Sequence, residues 1–214
     1  SPAGWTVPEH DEAAIAPAER QALHERRDEI DAILAAQPDY FDWRPLQANP
    51  RALWFLHRLA PHCAAYHCTA VLGLDGGIGD AQLAAAFELL CARHPLLRAQ
   101  FGERDGEPCY RILASHGNEC RAHATANDLA QAKGLLLAQA DRAFALEDGA
   151  VMRLASVRVG ERLVVSMVLH HIVADFYSCE ILARELVAEL GGEAADAPAA
   201  SYEQWSRENT DYLG

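Results

Sequence analysis

An α/β fold is predicted from three observations. Residues 163–169, Leu-Val-Val-Ser-Met-Val-Leu, form a nearly continuous apolar run, which is how a strand covered on both faces reads. Shortly after it, Phe176, Cys179, Leu182, Leu186 and Leu190 recur at spacings of three and four, the stripe of an amphipathic helix. Between them stands His170-His171-Ile172-Val173-Ala174-Asp175. Two imidazoles and a carboxylate therefore sit where a buried strand gives way to a helix, a position at which open sheets place their chemistry. Two strand-end histidines and a helix-capping aspartate would leave the same trace in a His-rich chain.

The other elements follow in order. Residues 1–16 are polar and rich in Pro and Ala and read as a linker. Pro17 opens a helix at its tolerated first-turn position, and 18–36 continue it with a narrow stripe of Leu23, Ile30, Ile33 and Leu34. Its middle is charged around much of its circumference, so it is expected to lie on a surface or between domains. A second helix covers 51–59 and carries Leu53, Trp54, Phe55, Leu56 and Leu59. A strand is expected over 66–74, then a flexible glycine turn. This turn has no Lys-Ser/Thr and is read only as a connection. Asp80 is the expected cap of a helix over 81–93 bearing Leu83, Phe87, Leu90 and Cys91, stopped by His94-Pro95. Short strands at 96–102 and 108–113 flank a turn at 103–107, and 115–125 read as irregular. Asn127 or Asp128 caps a helix reaching about residue 143, weakened at Gly134. Strands at 151–159 and 162–169 are joined by Gly160-Glu161, a two-residue hairpin. The helix over 176–190 ends at Gly191-Gly192. A loop over 193–200 and a helix over 202–212 close the chain.

Composition narrows the possible functions. The 214 residues, half of them hydrophobic, suit one domain, or one domain with an extension. A net charge of −13 disfavours nucleic acid as a partner. No apolar run is long enough for a transmembrane helix, and Ser1-Pro2-Ala3-Gly4-Trp5 lacks the regions of a signal peptide, so a cytoplasmic location is expected. The six cysteines form no C-x-x-C pair. His62-Cys63 and His67-Cys68 flank a strand on opposite faces, which argues against a metal site and for reduced, scattered thiols.

Four segments together resemble the N-terminal lobe of a condensation domain of nonribosomal peptide synthetases. Arg51 with Leu53-Trp54-Phe55-Leu56 resembles the first core motif, and Arg93-His94-Pro95-Leu96-Leu97-Arg98-Ala99-Gln100-Phe101 the second. Phe144-Ala145-Leu146 with Gly149 and Arg153 resembles the segment leading to the catalytic strand. His170-His171-Ile172-Val173-Ala174-Asp175 resembles the active-site motif. The chain departs from the family at Phe176, where Gly is frequent after the Asp, at Pro50, where Gln is common, and at Gln47, where Ser is common. The resemblance implies a chloramphenicol acetyltransferase-like lobe, a mixed sheet with helices packed on it, over 45–214. Residues 1–44 would be a linker with a surface helix from an upstream carrier side. The whole domain would be about twice as long, so its C-terminal lobe is expected to be absent.

The implied activity is acyl transfer: amide-bond formation by thioester aminolysis between carrier-tethered partners, in antibiotic or other natural product biosynthesis. No cofactor is expected to bind directly; the substrates would ride on the phosphopantetheine arms of upstream and downstream carrier proteins. His171 is the expected catalytic residue, as general base or as a positioning group. An amine with a pKa near 8 is partly free at neutral pH, so a full base is not strictly required. His170 points the other way on an extended backbone and is expected to be structural. Asp175 would be braced by Arg51 or Arg98, or would cap the following helix; both roles can coexist. Ser178 lacks the surroundings of a nucleophile, and Cys179 faces the core stripe. The chain alone is expected to be inactive and to expose a docking face that favours self-association. The alternatives are an ester-forming or epimerising relative and a non-catalytic module that recruits carriers.

Overall fold

The computed structural model describes residues 17–36, 42–75, 77–122 and 125–191. The expected terminal linker, the 193–200 loop and the 202–212 helix lie outside the described residues. Five helices are described: α1 (Pro17–Ala36), α2 (Ala48–Leu59), α3 (Asp80–Arg93), α4 (Leu129–Ala140) and α5 (Phe176–Gly191). Seven strands accompany them: β1 (Arg44–Pro45), β2 (His67–Leu74), β3 (Ala99–Arg104), β4 (Glu107–Ile112), β5 (Glu119–Ala122), β6 (Met152–Val159) and β7 (Arg162–His170). They form a four-stranded sheet in the order β2-β7-β6-β5 and a three-stranded sheet in the order β1-β4-β3. Only the β5–β6 pair among these strands is parallel.

Strand β7 lies inside its sheet, bonded to β2 on one side and β6 on the other, and from Val165 to His170 every residue is buried. One face carries Leu163, Val165, Met167 and Leu169. These pack with Leu83, Phe87 and Leu90 of α3 and Leu182 and Leu186 of α5. The opposite face meets α4 through Ala155, Val157, Ala132 and Leu136, and meets the small sheet through Val168. A strand covered on both sides has no polar alternation, because neither pleat faces water.

The hairpin between β6 and β7 forms as expected, with Gly160 at φ 60°, a value that costs glycine nothing. The β3–β4 hairpin is tighter than the sequence suggests. Its turn is Asp105-Gly106, with φ 52° and 80°, and the strands run to Arg104 and from Glu107. Positive φ at both central positions is the geometry that matches strand twist, and Asp-Gly supplies it. Leu96 is not in a strand: Pro95–Arg98 is a 3-10 turn, consistent with a proline at its first position. Asp80 begins α3, and Gly79 occupies the cap position. Asp128 caps α4 by accepting from the Gln131 amide, and α4 stops at Ala140, short of the expected end.

Two expectations are corrected outright. The stretch read as irregular contains β5, paired in parallel with β6 from Glu119↔Arg153 to Ala122↔Ser156. Glu-Cys-Arg-Ala alternates over only four residues and holds no β-branched or aromatic side chain, too short a signal to read as a strand without its partner. Phe176 does not belong to the buried stripe of α5 and is 79% exposed. Cys179, Leu182, Leu186 and Leu190 are buried as expected.

Candidate active site

The backbone at the end of β7 is pinned on three sides. The His170 amide donates to the Val151 carbonyl (2.9 Å), the His171 amide to Tyr66 (2.8 Å) and the Val173 amide to His170 (3.1 Å). Ile172 is buried in a cluster with Trp54 of α2, Phe101 and Tyr110 of the small sheet, Phe144 and Val168. Burial of a side chain of this size contributes about 1.5–3 kcal/mol. The turn carrying the histidine pair is therefore fixed by hydrogen bonds on one side and an apolar plug on the other.

The two adjacent histidines have opposite environments. His170 is buried, and its Nδ1 accepts from the Ile172 amide (3.1 Å). A ring nitrogen that accepts carries no proton, which assigns the neutral Nε2–H tautomer. Around it stand His57 of α2 (ring centroids 5.5 Å), His67 of β2 (5.9 Å) and Phe144 (6.1 Å), all roughly edge-on. Burial, followed by the neighbouring His57, His67 and His171, pushes the His170 imidazole down to about 3. It is thus a neutral strut that fixes the turn. The His171 side chain is exposed, so a reactant can reach it.

The cage around His170 was not evident from the sequence. His67 faces His170 directly across the β2–β7 register. Its Nδ1 lies 2.8 Å from the Ala140 carbonyl, and its ring packs on Phe144 at 4.8 Å. Phe144 is held in turn by Arg153, whose guanidinium lies 4.4 Å from the ring centroid. Arg153 also donates to the carbonyls of Gln139 (2.6 Å), Arg142 (3.1 Å) and Ala143 (3.0 Å). It thereby satisfies carbonyls that the end of α4 leaves open. The one available signal was strand pairing: once β2 is set beside β7, His67 must face His170.

Asp175 takes the capping role. Its Oδ1 accepts from the Ser178 amide (2.7 Å) and hydroxyl (2.6 Å). These two bonds, the hydroxyl first, hold its carboxyl below the usual range, with a smaller contribution from His171. The expected brace by Arg51 is not made. Arg51 pairs with Glu107 at 2.5 Å, and Arg98 is buried, donating to the carbonyls of Cys91 (3.1 Å) and Leu113 (2.5 Å). The reason is exposure: Asp175 faces solvent, so its charge needs no ionic partner. Arg98 instead ties the 3-10 turn to α3 and to the residue after β4. Ser178 spends its hydroxyl on Asp175. Cys179 is buried, and burial pushes its thiol up to about 12, which leaves little nucleophilic thiolate. The six cysteines are free. No helix among the described residues is long and apolar enough to cross a membrane.

Comparisons with known proteins identify the family and the fold. The family model for the condensation domain matches residues 42–214. A protein named as a nonribosomal peptide synthetase of Salinispora arenicola is 36% identical over 174 residues, covering 77% of this chain and 2% of that protein. A linear gramicidin synthase of Brevibacillus parabrevis is 34% identical over 179 residues, again 77% and 2%. Among solved structures, the starter condensation domain of rhizomide synthetase superposes with a TM-score of 0.68 at 20% identity, covering 80% of this chain and 46% of that one. The condensation domain of the monacolin K polyketide synthase gives 0.70 at 17% identity, covering 82% and 40%. The chain thus spans under half of the solved domains it matches and about 2% of these two synthetases. The family match over residues 42–214 places this chain in the condensation domain family.

Proposed function

We propose that this chain is the N-terminal lobe of a condensation domain that joins a carrier-bound acyl donor to a carrier-bound amine. The observation that supports it best is the contrast at the end of β7: an exposed His171 on a backbone fixed by Tyr66, beside a neutral, caged His170. In the reaction, the acceptor nitrogen attacks the thioester carbonyl carbon. A C–N bond forms, the C–S bond breaks, and the phosphopantetheine thiolate leaves. The nitrogen must lose a proton as the tetrahedral intermediate forms, and a neutral imidazole within reach can accept it or hold the amine in line. The carriers supply the phosphopantetheine arms, and the opposite wall of the reaction channel comes from a second lobe. Without that wall the chain alone has little activity.

The test is His171→Ala in the parent synthetase, with both carriers loaded. Loss of product with loading and carrier binding retained is the expected result, by roughly 10²–10⁴-fold if His171 is a general base. Unchanged product formation overturns the reading and favours a recruitment module. The exposed Phe176 and Tyr177 beside the motif are the observation in favour of that second reading.

A further inference from the structure

Helix α1 lies outside the residues that match the family, which begin at 42, yet it is seated on the lobe. Ile30 is buried against Leu89 and Ala92 of α3, with Ile33 and Leu34 partly buried beside it. Next to this apolar contact is a four-member charge cluster drawn from three helices. Glu189 of α5, with only 1% of its side chain exposed, lies 2.9 Å from Arg26 of α1 and 2.5 Å from Arg93 of α3. Glu29 of α1 lies 2.9 Å from Arg26 and 3.5 Å from Arg93. The contact with Arg93 is close but poorly aligned: Glu189 Oε1 and Arg93 Nη1 are buried without a hydrogen-bond partner. A carboxylate removed from water needs more than one misaligned cation, and Arg26 is the second.

We propose that α3 and α5 form a helix-accepting groove on the lobe and that α1 is its resident ligand. The groove selects an amphipathic helix that presents a cation to Glu189 and an aliphatic side chain one turn later to Leu89 and Ala92; Arg26 and Ile30 satisfy both demands. Seated this way, α1 is held as a fixed element against α3 and α5. The inference stands whether or not His171 is catalytic.

Hydrogen exchange on the full chain, read by mass spectrometry, tests it. In the unsubstituted protein, amides over 26–36 should exchange far more slowly than in a free peptide of the same sequence. Arg26→Ala and Ile30→Ala should each speed that exchange at least roughly tenfold, with β6 and β7 unchanged, and Arg26→Lys should keep most of the protection. Peptide-like exchange in the unsubstituted protein overturns the proposal, as does no effect of Arg26→Ala. Loss of protection in β7 together with α1 also overturns it, because α1 would then be part of the core rather than a separable ligand.

Discussion

The two ends of α5 each hold one acidic side chain, and the two are stabilised in different ways. Asp175, at the N-terminus, is exposed and finds its partners three residues away, the amide and hydroxyl of Ser178. Glu189, in the last turn, is buried and finds its partners on two other helices, Arg26 of α1 and Arg93 of α3. The first interaction is local, is complete within one turn, and leaves the neighbouring His171 open. The second is assembled only when three helices meet. One helix thus presents an exposed end supported by its own backbone and a buried end supported by the rest of the lobe.

The comparison breaks most forcefully at Arg93, the last residue of α3. Its side chain is only 12% exposed. Arg93→Ala would leave Glu189 buried with one cation fewer and should destabilise the fold by about 3–5 kcal/mol, measured by urea unfolding. Replacing both Arg93 and Glu189 with leucine should recover much of that loss, because a buried pair exchanged for apolar groups is often neutral. If Arg93→Ala costs no more than a surface ion pair, the two ends of α5 are alike and the contrast fails.

The next largest effect is acid sensitivity beside the exposed end. His170 titrates near 3 in the folded chain and near 6.5 when unfolded. Between these values the unfolded state binds a proton that the folded state does not, so stability falls as pH falls. The contribution is fully present above about pH 6.5, and each pH unit below it removes at most about 1.4 kcal/mol. His67, also lowered chiefly by burial, adds in the same direction. His170→Asn keeps an acceptor for the Ile172 amide but cannot titrate. It should flatten the slope of unfolding free energy between pH 6 and 4 by about one proton. An unchanged slope would place the acid-sensitive group elsewhere.

What could be read in the sequence follows the same division between local and assembled. Strand β7, the α5 stripe from Cys179 to Leu190, the Asp128 cap and the Gly160 hairpin are specified within a few residues, and each formed where the pattern put it. The capping role of Asp175 was legible for the same reason. Strand β5 was not, because its support comes from distant elements: its parallel partner β6, the core that Cys120 joins, and Arg142 against Glu119. The cage of His57, His67 and Phe144 was not, because it joins a helix, an edge strand and a loop around one ring. Glu189 was hidden by its type: next to Leu190 in the stripe it reads as solvent-facing, and only α1 and α3 make its burial tolerable. Phe176 misled in the opposite sense. Its spacing to Cys179 fits the stripe, but at the first helical position it projects past the end of the packed face.

The smallest effect sharpens the contrast from the local side. Asp175→Ala removes an N-cap and leaves the Ser178 amide to water, which should cost about 1 kcal/mol, while Asp175→Asn or Asp175→Ser should cost only a few tenths. The carboxylate's own stabilisation has a defined pH window. Because its folded value lies below the unfolded one, the contribution is present above about pH 4 and is lost as pH falls through the folded value. Asp175→Asn should therefore differ from the unsubstituted chain at neutral pH and converge with it in strong acid. A cap that acts through its carboxylate gives that convergence; equal stability of the two chains at every pH would leave the cap to the side chain's hydrogen bonds alone.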